Sequence, residues 1–166
     1  MSEQIPTNDN TVAFDSRDQA AQLALDLIKQ AKHEICFFGP LIDPVLLDND
    51  EVIAELSEFA RRSARTKVRL VVFDTRKNIA QSHRLIPLAQ KLTSKIEIHI
   101  ASRKHQELRN MFMLIDTNAY LYCPNAERYV GRASSHAPAD VRDMQQSFDE
   151  IWNHSKQDIN TRRLHI

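Results

Sequence analysis

The side chains with the most chemical capacity in this chain are arginines set at the ends of apolar runs. Arg109 and Asn110 precede MFMLID, Arg128 and Tyr129 follow AYLYCPN, and Asp74, Arg76, His83 and Arg84 follow VRLVVF. Arginine's planar fork suits bidentate binding of phosphate or carboxylate, and the ends of strands in α/β sheets are where ligands tend to bind. These residues are therefore the ligand-binding candidates, with an anion as the ligand class. They have a structural alternative: Arg76, Arg109 and Arg128 could pair with Asp74, Glu107 and Asp116 and close the site.

Other chemistries find less support. The cluster Arg61 to Arg69, with Arg103, Lys104 and His105, could form a stripe for nucleic-acid phosphates. The same charges also have a structural reason, since cations favour a helix C-terminus and Glu55 and Glu58 lie one turn back. The seven histidines are scattered, with no His-Glu-x-x-His pair, so no metal is expected; His99, inside IEIHI, is expected to face solvent. Cys36 and Cys123 lie in separate apolar runs and form no C-x-x-C pair, which points to reduced, buried thiols; a disulfide would need their two strands to be neighbours. With only Gly39 and Gly131 in the whole chain there is no glycine-rich phosphate loop, so no nucleotide cofactor is expected.

The elements that must position these residues follow from periodicity. Ser16 and Gln19 form a capping box ahead of Ala20, Leu23, Ala24, Leu27, Ile28 and Ala31 at helical spacing. EICFFG, from Glu34, is a buried strand closed by Gly39-Pro40. A proline- and aspartate-rich loop follows, then a second helix through Val52, Ile53, Leu56, Ala60 and Ala64, capped by Asp48 or Asn49. After the strand VRLVVFD, Asn78 is expected to cap a third helix carrying Ile79, Leu85, Leu88, Ala89 and Leu92, which Pro87 would kink or start late. IEIHI is a strand by alternation, and MFMLID and AYLYC bracket Thr117-Asn118 as a hairpin. The last helix holds Val141, Met144, Phe148, Ile151 and Trp152. This order implies an α/β fold, a three-layer α/β/α sandwich with a mixed sheet. Residues 1–13 are expected to be a flexible N-terminus, 14–156 a single domain, and 157–166 a C-terminal tail.

The 166 residues suit one core, and the balance of 22 Lys plus Arg against 22 Asp plus Glu leaves no global field for nucleic acid or membrane, so any anion site must be local. No apolar run approaches the ~20 residues that span a bilayer. The polar start MSEQIPTNDN lacks the features of a signal peptide, which makes the cytoplasm the expected location.

LRNMFMLIDTNAYLYCPN, from Leu108 to Asn125, resembles the strand, turn and strand that carry His-x-Lys-x4-Asp and then Gly-Ser-x-Asn in the phospholipase D superfamily. FARRSARTKVRLVVFD and the closing FDEIW resemble further parts of one half of such a protein, so the likeness runs from about Phe14 to Trp152. It implies two halves facing each other, with one histidine attacking phosphorus, the other acting as acid and base, and lysines holding the phosphate oxygens. In this sequence Arg109 stands at the histidine position, Met111 at the lysine position, and Asp116 keeps its type. Arginine cannot serve as nucleophile or base, Met111 offers no charge, and Cys123-Pro124 replace Gly-Ser while Asn125 matches.

The resemblance thus implies a catalytically inactive phospholipase D-like domain, a homodimeric binding or scaffold module for a phosphate-bearing ligand or nucleic acid. The alternative is a phosphodiesterase or nuclease using Asp74, His83 and Asp116 in the same cleft. A weaker likeness, carried by HRLIPLA, RYVG, FDEIW and the terminal RRLHI, is to uncharacterised bacterial domains attached to acetyltransferase-like domains; it implies a regulatory partner of an acetyltransferase.

Overall fold

In the computed structural model, which describes residues 11–162, the strands β1 (Thr11–Phe14), β2 (Glu34–Phe38), β3 (Lys67–Val72), β4 (Ile96–Ile100), β5 (Met111–Ile115), β6 (Ala119–Cys123), β7 (Gly131–Ser134) and β8 (Lys156–Gln157) make one sheet. Its order is β1-β7-β6-β5-β2-β3-β4-β8. The β2–β3 and β3–β4 pairs are parallel and every other pair is antiparallel, giving the expected mixed sheet.

Helices cover both faces. Ile35 and Phe37 of β2 pack toward α1 (Arg17–Gln30), α2 (Pro44–Leu47), α3 (Asp50–Arg62) and α5 (Leu85–Lys91), whereas Cys36 and Phe38 pack toward α6 (Pro138–Asn153). A strand buried on both faces has no polar side, which is why EICFF reads as a continuous apolar run rather than an alternating one. Cys36 and Cys123 are buried free thiols on opposite faces of the sheet, on strands separated by β5. Burial pushes both thiols up to about 12, so they are neutral at physiological pH.

Local signals in the sequence account for several helix starts. The Ser16 hydroxyl accepts the Gln19 N–H at 3.2 Å, and the Gln19 amide oxygen accepts the Asp15 N–H at 2.9 Å. Of the two candidates ahead of α3, Asn49 is the cap, accepting from the Val52 N–H at 2.9 Å, while Asp48 instead receives the Arg84 N–H at 3.1 Å.

Asn78 departs from expectation. It does not cap a helix but lies buried within α4 (Arg76–Ala80). Its amide accepts from the Ile42 N–H at 3.0 Å and donates to the Ile42 carbonyl at 2.9 Å, so it acts as a substitute backbone for the loop after β2. The expected third helix is therefore two, α4 and α5, broken at Ser82 in the left-handed region (φ 56°). Pro87 falls in the first turn of α5, where its missing N–H has no helical partner to lose.

The folded part extends past the bounds expected from periodicity. Thr11–Ala13, expected in a flexible N-terminus, pair with β7, and Gln157, the first residue of the expected tail, pairs with His99 of β4. Asp158 then fastens the tail, its carboxylate accepting from the Thr75 hydroxyl at 2.7 Å and the Thr161 hydroxyl at 2.8 Å. The polar stretch through Asn10 and all of the terminal RRLHI after Arg162 lie outside the described residues. His99 does not face solvent freely: its ring stacks on Trp152 at 3.7 Å, and its Nδ1 is 2.7 Å from the Ser155 hydroxyl.

Candidate functional site

Sheet direction decides which candidates meet. β2, β3 and β4 run parallel and end at one edge; because β5 is antiparallel to β2, it begins there, and β6 ends there. That edge collects Gly39-Pro40, the turn Phe73 to Arg76, the 3₁₀ turn Arg103–Glu107 with Arg109, and the loop from Asn125 to Tyr129. A groove of about 520 Å³ opens on it, lined by Pro40, Phe73, Gln106, Glu107, Arg109 and Asn125 among others. The Ala126 N–H donates to the Arg109 carbonyl at 2.7 Å, tying the two walls together.

Arg109 is exposed in this groove, and neither it nor exposed Arg128 forms an ion pair among the described residues. Arg76 does pair with Asp74, at 2.8 Å, and its hydrogen bonds hold the Asp74 carboxyl down to about 2. Asp74 and Arg76 border a neighbouring groove, also about 520 Å³, whose other wall is Gln157 to Asn160. Nothing in a polar tail signalled that wall.

The remaining candidates lie elsewhere. Met111, which the sequence resemblance aligns with the superfamily's lysine, is 1% exposed and part of the core, so it lines nothing. Asn110, adjacent to Arg109, lies across the sheet in a groove beside α6, because successive residues entering a strand alternate faces. Asp116 sits at the far end of β5, five strand residues or about 17 Å from the start of that strand. There its carboxylate accepts the backbone N–H groups of Lys32, His33 and Glu34 at 3.1, 2.7 and 3.0 Å, an anchor for the start of β2.

His83 is 2% exposed, between α4 and α5; its Nδ1 accepts the Leu85 N–H at 3.1 Å and its Nε2 has no partner among the described residues. Burial lowers its pKa, which keeps it neutral. Its acidic neighbours, Asp43 and Asp48, follow β2, whereas Asp116 binds the residues preceding β2. Asp74, His83 and Asp116 therefore do not assemble into one cleft. Arg84 pairs with Asp50 at 3.1 Å. Tyr129 donates its hydroxyl to the buried Asp43 carboxylate at 2.8 Å, with burial raising both groups, and Arg17 lies 5.5 Å over its ring. This tie, which no spacing in the sequence indicates, makes Tyr129 a prop for the groove rather than part of its lining.

The basic stripe is not assembled either. Arg62 pairs with Glu58, Lys104 with Glu150, and Arg69 lies half-buried against α6, donating to Glu34 at 2.6 Å with its guanidinium 5.2 and 5.0 Å from the Phe148 and Trp152 ring centres. Among the described residues no three His, Cys, Asp or Glu side chains gather as a metal site, and no helix is long and apolar enough to cross a membrane.

The fold is phospholipase D-like. The chain superposes on a phospholipase D family member, Nuc from Salmonella typhimurium, with a TM-score of 0.64 at 15% identity, covering 91% of this chain and 99% of that one. It is similar to NucT from Helicobacter pylori, with a TM-score of 0.65 at 11% identity, over 91% of this chain and 100% of that one. It is also similar to TrmBL2, an archaeal chromatin protein with a novel mode of DNA binding: TM-score 0.64, 12% identity, 93% of this chain. The chain spans only 56% of the length of TrmBL2. No curated protein sequence matches. A family profile does match, over residues 16–164, and the chain accordingly belongs to the family described as a domain of unknown function (DUF7931).

Proposed function

We propose that this domain is a homodimeric phosphodiester-binding module that holds a nucleic-acid backbone at the strand-end groove and does not carry out the phospholipase D reaction. The observation that carries this reading is Arg109, exposed in the strand-end groove and without an acidic partner among the described residues; by the sequence resemblance it stands where the superfamily has its nucleophilic histidine. A guanidinium there keeps the electrostatic half of the old chemistry, attraction of phosphate oxygens, and lacks the nucleophilic half. Exposed Arg128 adds a second charge on the adjoining loop. The likeness to Nuc and to a chromatin protein supports DNA as the first ligand to test. Exposed Ile79, Leu108, Val130 and Ile159 at or beside the same edge support a second copy packing there.

The test is fluorescence anisotropy with labelled single-stranded and duplex DNA across a salt series. Binding is expected to weaken as salt rises, and Arg109→Ala and Arg128→Ala are each expected to weaken it roughly three- to tenfold and to reduce the salt slope by about one. No binding at low salt, or binding untouched by both substitutions, overturns the reading. Cleavage of the same probes with divalent metal present overturns the inactive part. A clean monomer in light scattering at high protein concentration removes the dimer.

A further inference from the structure

The groove on the α6 face is separate from the strand-end groove and carries different chemistry. It has a volume of about 440 Å³ and runs between α6 and the outer strands β6 and β7. One wall is positive: Arg132 lies over the Tyr122 ring at 4.9 Å and donates through Nε to the Tyr120 hydroxyl at 3.1 Å. Those contacts fix the plane of the guanidinium and leave its two terminal nitrogens without a hydrogen bond among the described residues. The opposite wall is negative, with Asp140 and Asp143 projecting from the first two turns of α6.

These opposite charges do not meet. Arg132 forms no ion pair with either aspartate among the described residues, although all three line one groove. Between the walls lies an apolar stretch from Phe112, Tyr122 and Met144, and the Asn110 Oδ1 in the same lining is buried with no hydrogen-bond partner among the described residues. An orphaned buried acceptor calls for a donor, and none is supplied by the described residues.

We infer that this groove binds a small zwitterion, an α-amino acid with an apolar or aromatic side chain. Its carboxylate would take the free fork of Arg132, its ammonium would lie against Asp140 and Asp143 with one N–H directed to Asn110 Oδ1, and its side chain would cover Phe112 and Met144. An anion alone would be repelled by the aspartates, and a cation alone would face Arg132; a molecule carrying both charges is favoured at each wall. The pocket is polar enough at its rims to select for charge and apolar enough at its floor to favour a hydrophobic side chain.

The full chain should be titrated calorimetrically with L-phenylalanine and L-leucine, and in parallel with N-acetyl-L-phenylalanine, L-phenylalaninamide and the nucleoside cytidine. Binding of a free amino acid is expected, with a loss of roughly tenfold or more when either charge is capped. Arg132→Gln and Asp143→Asn are each expected to weaken it by a similar factor while far-UV circular dichroism stays unchanged, and Arg142→Gln, on the same helix but outside the groove, is expected to leave it intact. No binding of either amino acid at millimolar concentration, binding indifferent to capping, or a preference for cytidine each overturns the inference. Because Arg109 takes no part, failure here leaves the phosphodiester reading standing.

Discussion

Asp116→Ala is expected to lower stability by about 2–4 kcal/mol while leaving the proposed binding of DNA by the folded protein unchanged. The carboxylate receives the N–H groups of Lys32, His33 and Glu34, three consecutive donors that would otherwise face the turn between α1 and β2 unpaired. Hydrogen bonds to a charged acceptor contribute about 1.5–3 kcal/mol each, and truncation to alanine leaves all three donors to whatever water can reach. For a chain of this length such a loss shifts the thermal midpoint by roughly 4–16 °C. Asp116 also sits at φ 55°, in the left-handed region that a β-methyl disfavours and that Asp and Asn tolerate, so alanine adds backbone strain to the lost bonds. Asp116→Asn keeps the backbone preference and one acceptor oxygen and is expected to lose about half as much. Differential scanning calorimetry of the three proteins measures the order. Equal stability of all three would remove the β2 anchor, and a folded Asp116→Ala protein that no longer binds DNA would place Asp116 in the binding site.

That assignment illustrates how far the sequence could be read. The central strands in their order along the chain, the mixed sheet and most helices were legible because they carry local signals: the capping box at Ser16, the buried run at Glu34 and the hairpin around Thr117. The strands β1, β7 and β8 and the order of strands in the sheet were not. The candidate site was legible in part. Arg109 reaches the groove as its place at the start of a strand implies, and Arg76 pairs with Asp74 two residues away, a contact that spacing alone makes plausible. What was lost depends on which end and which face of the sheet a residue occupies. Asp116 was grouped with Arg109 through motif membership, yet a strand of β5's length separates them, and Asn110 was grouped with Arg109 through adjacency, yet pleating turns it to the α6 side. His83 and Tyr129 look like site residues by type, but one is buried and the other is held by Asp43, eighty-six positions away in the chain. Long-range pairings of that kind leave no mark in a single sequence.

The largest single effect on folding is expected from Gly131→Ala. Gly131 opens β7 where it meets β1, opposite Phe14, and its Cα faces the β6 backbone so closely that an added Cβ would lie 2.0 Å from the Tyr122 carbonyl oxygen and 3.0 Å from Phe14 Cζ. The first contact is with main chain, which cannot rotate aside. Relief requires β7 to move off β6, breaking the ladder that pairs Tyr120 with Ser134 and Tyr122 with Arg132 and carrying β1 with it. Overpacking of a tight site costs about 1–3 kcal/mol when side chains can yield, and a backbone clash in a ladder exceeds that range. Gly39→Ala provides the contrast, since its Cβ would meet only the side chains of Phe37 and Met111, at 3.0 and 3.2 Å. The expected result is a Gly131→Ala protein that is insoluble or unfolds well below the parent, beside a Gly39→Ala protein within about 1–3 kcal/mol of it by urea denaturation. Comparable stability of the two variants would mean that the β6–β7 pairing is looser than the hydrogen-bonded register requires, and that the Arg132 wall of the α6 groove, which rides on β7, is not held in place.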